Sequence, residues 1–260
     1  MWLLFSKLIC ILICSFFSNV YAVETIKVAT ASNFLSPLKK LKIPYESESG
    51  YVLQISSGST SKLYAQIING APYDIFLSAD QFTVRKLIKN DEAIANTEFV
   101  YAIGKLVLWS ASKERTTLLL QKDFLNLQFR HLAIANPKLA PYGRAAIEVI
   151  KKLNLNDKLH SRLVYGENIG QTFQFVYSGN AEFGLVALSQ IMQLKEVVPY
   201  WEVPLHLYQP LKQSAVLLNR AKENIAAKSF MRFLKSPKVQ QELSSKYGYF
   251  SATMPTTLER

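Results

Sequence analysis

Cysteine is almost absent: there are two in 260 residues, Cys10 and Cys14, both close to the start. Histidine is scarce too, with His131, His160 and His206 standing far apart. These numbers and spacings leave no room for a disulfide framework, a zinc ribbon or an H-E-x-x-H hydrolase. Charge does not run in blocks. Thirty Lys and Arg stand against 19 Asp and Glu, and the net +11 is spread along the chain, so there is no basic arm of the kind that grips nucleic acid. The phosphate loop G-x-x-x-x-G-K-[ST] is missing, because Gly58 is followed by Lys62 with no second glycine between. No G-x-S-x-G elbow occurs, and no Ser, His and Asp group by spacing. What remains is 49% hydrophobic and 19% charged, enough apolar material to bury a core in one or two domains.

The first 22 residues read as an address. Lys7 precedes the apolar run Leu8–Phe17, and Val20 and Ala22 place small residues where a signal peptidase cuts. A membrane anchor needs about 20 apolar residues, and this run is shorter and meets Glu24 and Thr25 soon after. Ile13 is too bulky for a lipoprotein box at Cys14. Cleavage after Ala22 leaves a cysteine-free chain starting at Val23, one positive charge below the full +11, exported to the periplasm and held by its core alone.

After Val23, short β-rich runs alternate with amphipathic stretches, the sequence form of βαβ units. Strands are expected at Thr25–Thr30, Tyr51–Ser56, Asp74–Ser78, Leu132–Ala135, Leu163–Tyr165, Gly184–Ala187 and Ser214–Leu218. Helices are expected at Pro37–Lys42, at Lys62–Ile68 with a stop at Asn69-Gly70, after a cap at Asp80, at Arg144–Leu153, at Thr172–Tyr177, and over Ala226–Leu243 with a break at Ser236-Pro237. Tyr101–Trp109 reads as one long strand interrupted at Gly104-Lys105, with no helix signal before Leu118, and Pro199–Pro210 reads as extended. Two α/β lobes joined by two extended crossings is the economical arrangement: residues 23–104 plus 206–260 in one, 105–205 in the other.

Three polar turns each follow an expected strand and open an expected helix: Thr30–Asn33, Ser56–Ser61 and Tyr165–Gly170. A fourth, Asn136–Gly143, does the same with its backbone shaped by Pro and Gly. Helix N-termini offer unpaired N–H groups and partial positive charge, which suits an oxyanion. Ordinary capping explains any one Ser or Thr, but five among the six residues Ser56–Ser61 exceed what one cap uses.

Several stretches, in order, resemble the periplasmic molybdate-binding proteins of ABC importers: Ala29–Phe34 (ATASNF), Ser57–Ile67 (SGSTSKLYAQI), Gly70–Asp80 (GAPYDIFLSAD), Ala135–Ala145 (ANPKLAPYGRA) and Gly184–Ser189 (GLVALS). The resemblance implies an α/β fold of the type II periplasmic binding protein kind, with two lobes closing on a tetrahedral oxyanion. By the same resemblance, Ser32 and Asn33 form the first ligand turn, and Thr60 falls where the family has a ligand Ser. Tyr142 and Ile169 give main-chain N–H groups. Ala187 stands where the better-known branch carries a ligand Tyr; a second branch shares this Ala and uses the residue matching Asn33 instead. The ligand is expected to be molybdate or tungstate, with molybdenum held as its oxyanion and no side chain on the metal. The expected partner is the membrane permease of an ABC importer. No cofactor, no catalysis, no nucleic acid and a monomeric state are expected. Competing readings are a binding protein for sulfate, phosphate or another small anion, an exported two-lobed enzyme, and an extracytoplasmic sensing domain.

Overall fold

The computed structural model describes residues 24–112 and 114–250. The leader expected over residues 1–22 lies outside them. Ten strands form two five-stranded sheets. The first sheet holds β1 (Thr25–Ala31), β2 (Val52–Gly58), β3 (Ile75–Leu77), β4 (Phe99–Gly104) and β10 (Leu211–Leu217), in the order β2-β1-β3-β10-β4. The second holds β5 (Leu106–Trp109), β6 (Leu132–Ala135), β7 (Leu163–Gly166), β8 (Phe183–Ala187) and β9 (Tyr200–Glu202), in the order β7-β6-β8-β5-β9. In each sheet the inner strands pair in parallel, β1 with β2 and β3, and β6 with β7 and β8, while the strands nearest the crossings run antiparallel.

Helices cover both faces of each sheet, which is why the strands are apolar on both sides. On the first sheet, α1 (Leu35–Ser49), α9 (Ile225–Lys235) and α10 (Pro237–Lys246) bury Leu38, Leu41, Phe230, Leu234 and Leu243 on one face. On the other face α2 (Thr60–Ile68) and α3 (Gln81–Lys89) bury Leu63, Ile67, Val84 and Leu87. The second sheet packs α4 (Thr117–Leu125) and α5 (Pro141–Lys152) on one face, and α7 (Ile169–Tyr177) and α8 (Leu188–Ile191) on the other. A short helix, α6 (Asn156–Leu159), follows α5.

Local chemistry places most of these elements. Asp80 accepts from the Thr83 N–H at 2.8 Å and so caps α3. Asn69 and Gly70 end α2, Gly70 at φ 82°, with its N–H bonded to the Ile67 carbonyl. Three expectations change. First, the helix expected to stop at Lys42 continues to Ser49 through Pro44. An internal proline costs about 3 kcal/mol, but continuing buries Tyr45 beside Leu38 and Leu41 and bonds its hydroxyl to the Ala226 carbonyl at 3.1 Å. Second, a helix runs over Thr117–Leu125, with no sequence signal before Leu118 to announce it. It buries Leu120 and Phe124, one turn apart, but its exposed Leu118 and Leu119 mask that period. Third, Tyr101–Trp109 is two strands, not one: β4 closes the first sheet at Gly104 and β5 opens the second at Leu106. The chain returns between β9 and β10, and Phe250 bridges back to Ile103 beside the first crossing.

Candidate functional site

Register decides which turns become neighbours. Ala31 pairs with Gly58 at the ends of β1 and β2, so the turns that follow lie side by side on the first lobe. Ala135 pairs with Gly166 at the ends of β6 and β7, which does the same on the second. All four turns lie at carboxyl ends of parallel strands, where open α/β sheets bind ligands. The two sets face each other and touch. The Gly170 N–H donates to Ser32 Oγ at 3.2 Å, and the Ser61 N–H donates to the Leu139 carbonyl at 3.1 Å. Lys62 pairs with Glu167 at 2.8 Å, Arg144 pairs with Asp80, and Ser189 Oγ donates to the Asn33 carbonyl at 2.9 Å. The lobes are closed on one another.

All five residues singled out in the sequence lie along this seam. Ser32 opens a short 3-10 turn after β1, Thr60 is the first residue of α2, Tyr142 the second of α5, and Ile169 the first of α7. Asn33, Thr60, Tyr142 and Ile169 are buried, at 3% exposure or less. Amides at these positions have no partner within their own helix. Gly143 lets α5 approach this closely, because a Cβ there would overlap the Ala135 carbonyl.

The hydroxyls have a defined direction. Thr60 Oγ1 accepts from the Ala79 N–H at 3.4 Å, and Ser32 Oγ accepts from Gly170. Each therefore has its proton left to donate. The site has helix N-termini and hydroxyls, and the nearby Arg144 and Lys62 each meet a carboxylate. Among the described residues no group of three or more His, Cys, Asp or Glu is placed to hold a metal ion.

Asn33 differs from a simple side-chain ligand. Its Nδ2 donates to Gln213 Oε1 at 2.8 Å and to the Tyr249 hydroxyl at 3.2 Å, so what remains for a ligand is its main-chain N–H. Tyr142 likewise does more than expose an amide. Its hydroxyl accepts from Gln213 Nε2 at 3.2 Å. Burial pushes the Tyr101 and Tyr142 hydroxyls well above the ordinary tyrosine range, and raises Tyr249 too, so all three stay protonated.

Three further residues here, Gln190, Gln213 and Ser189, were not among the candidates the sequence offered. Gln190 accepts from the Ala187 N–H at 3.1 Å and donates to the Ile169 carbonyl at 2.9 Å, bracing the α7 turn. Gln213 and Ser189 join the lobes, and no local pattern marks either one. Ser59 caps nothing although it sits at the N-cap of α2, and its buried Oγ lacks any hydrogen-bond partner. It was legible as one more hydroxyl than the cap required.

Residues 26–250 match the family model for bacterial extracellular solute-binding proteins. The chain is 43% identical over 229 residues to the molybdate-binding protein ModA of Azotobacter vinelandii, covering 86% of this chain and 89% of that one. It is 42% identical to ModA of Rhodobacter capsulatus, covering 85% and 86%. Among solved structures, the periplasmic molybdate-binding protein of Azotobacter vinelandii superposes with a TM-score of 0.81 at 39% identity, over 89% of this chain and all of that one.

Proposed function

The chain belongs to the bacterial extracellular solute-binding protein family, and from that premise we propose that it captures molybdate between its two lobes and delivers it to the permease of an ABC importer. The observation that carries this reading is the pair of hydroxyls, Ser32 and Thr60, each of which accepts one backbone N–H and keeps its proton to donate. Their protons, with the amides of residues 32, 33, 60, 142 and 169, form a shell rich in donors. Ser59, whose hydroxyl is buried and unmet, adds a further one.

Such a shell suits a tetrahedral dianion. Each hydrogen bond to a charged acceptor contributes about 1.5–3 kcal/mol, so several converging bonds offset the anion's desolvation without a formal cation. Because the donors come from both lobes, the anion bonds fully only to the closed form and shifts the population toward it. The permease would then read closure. Hydrogenphosphate carries a proton that needs an acceptor, and the amides that make up most of this shell offer none. Sulfate has shorter bonds than molybdate and leaves donors stretched in a cavity fitted to the larger ion. Tungstate, with nearly the same dimensions, binds as molybdate does.

The finer assignments go with this reading. With Ala187 where the better-known branch carries its ligand Tyr, the chain is read as a member of the second branch, with the Asn33 turn taking over that contact. Residues 23–104 plus 206–260 form one lobe and 105–205 the other. Residues 1–22 are a signal peptide that sends the protein to the periplasm, where it acts as a monomer without cofactor, catalysis or nucleic acid.

Thermal melting with molybdate, tungstate, sulfate and phosphate tests the proposal, since a ligand raises the melting temperature by mass action. Molybdate and tungstate should each raise it by several degrees, with sulfate and phosphate near zero. Stabilisation by sulfate alone would overturn it.

A further inference from the structure

Gln213 is not itself assigned to the anion, yet it stands between the two halves of the site and bonds to a residue of each. It lies on β10, fully buried, where the pairing with β4 shifts register between Gln213 and Ser214. Its Oε1 accepts from Asn33 Nδ2 at 2.8 Å and from the Tyr101 hydroxyl at 3.0 Å. Its Nε2 donates to the Tyr142 hydroxyl at 3.2 Å. Asn33 belongs to the anion turn of the first lobe and Tyr142 to that of the second. One amide group therefore links both turns, and only a side chain that accepts at one end and donates at the other can do so without charge.

The link sits at the hinge. Gly104, the last residue before the chain first crosses between lobes, has no side chain because that space is taken: a Cβ would overlap the Tyr142 hydroxyl and lie 2.6 Å from Gln213 Nε2. Tyr249 adds a second tie on the same turn, donating to the Asn33 carbonyl at 3.1 Å. An opening that moved Tyr142 away from β10 would take the Gln213 Nε2 donor from its partner, and that lost bond counts against the open form.

We propose that Gln213 is a positioning residue that couples the two anion-binding turns, with the Tyr142–Gln213 hydrogen bond made on closure and counted in the affinity for the anion. This rests on the oxyanion reading above. Gln213 favours the closed form and holds the Asn33 and Tyr142 amides at fixed spacing, so its loss appears chiefly as faster release of the anion.

The test is a double-mutant cycle on the full mature protein, titrated with sodium molybdate and followed by calorimetry and stopped-flow release. Tyr142→Phe and Gln213→Met should each weaken binding roughly three- to tenfold, the worth of one neutral hydrogen bond. The double variant should be no weaker than the weaker single one, because both remove the same link. Multiplying losses in the double variant, or a lower ligand-free melting temperature with unchanged affinity, would overturn the coupling and leave a packing role. If Gln213→Met does not fold, Tyr142→Phe decides alone: faster molybdate release supports the coupling and an unchanged rate refutes it. Wild-type protein that ignores molybdate but binds another oxyanion refutes the molybdate reading instead, and the same cycle is then read with that anion.

Discussion

Gly170 and Ser32 meet across the cleft. The Gly170 N–H donates to Ser32 Oγ at 3.2 Å, and a Cβ on Gly170 would lie 3.4 Å from Ser32 Cβ. The contact joins the first turn of α7 to the turn after β1, so closure itself sets the Ser32 hydroxyl with its proton facing away from Gly170. That orientation leads to the first prediction. Ser32→Ala and Thr60→Val should each weaken molybdate binding roughly ten- to a hundredfold in calorimetry, the worth of one hydrogen bond to a charge. Thr60→Ser, which keeps the hydroxyl, should stay within roughly threefold of wild type. Wild-type affinity in either deletion removes that residue from the site.

Ser59 separates binding from stability by sign. Its hydroxyl is buried without a hydrogen-bond partner in the protein, so deleting it relieves a desolvated group rather than breaking a bond. Ser59→Ala should leave the ligand-free melting temperature unchanged or raise it, while weakening molybdate binding roughly tenfold. A lower melting temperature with unchanged affinity would show that the hydroxyl serves the fold.

Gly104 controls whether the lobes can seat. A methyl at this position would compete with the Tyr142 hydroxyl and Gln213 for one space, and both are fully or almost fully buried. In Gly104→Ala the closed form should be disfavoured, so the molybdate-induced rise in melting temperature should shrink by at least half. Small-angle scattering should show less compaction on adding molybdate. Full compaction would place the Tyr142 contact outside the closing motion.

The buried tyrosines set an alkaline limit. Burial pushes Tyr208 up to about 12 from 10.0 and raises Tyr101, Tyr142 and Tyr249 as well. A raised folded-state value means that the folded protein holds these protons more tightly than the unfolded chain. Their contribution to stability is fully present below about pH 10 and is lost as pH rises through the folded values. Melting temperature should therefore be insensitive to these groups from about pH 6 to 9 and fall steeply above about pH 10. In Tyr208→Phe the fall should be shallower, and an identical slope would refute the assignment.

What could be read along the chain depended on distance along it. Asp80 capping α3 and Asn69-Gly70 ending α2 act over three or four residues, and the strand at Leu132–Ala135 needs only its own apolar run. The helix at Thr117–Leu125 was hidden because exposed leucines filled the gaps in its apolar period.

The polar turns that hold Ser32, Asn33, Thr60, Tyr142 and Ile169 were visible for the same local reason, since strand-to-helix turns follow from capping chemistry within a few residues; the choice of these five residues within them came from the resemblance to the molybdate-binding proteins. Their meeting was a different matter. Asn33 finds Tyr249 across 216 residues and Gln213 across 180, while Gln213 finds Tyr142 across 71. No periodicity spans such separations. Sheet order, register and the two hinge crossings decide them, because hydrogen bonds between buried groups form only where packed layers bring donors and acceptors within about 3 Å.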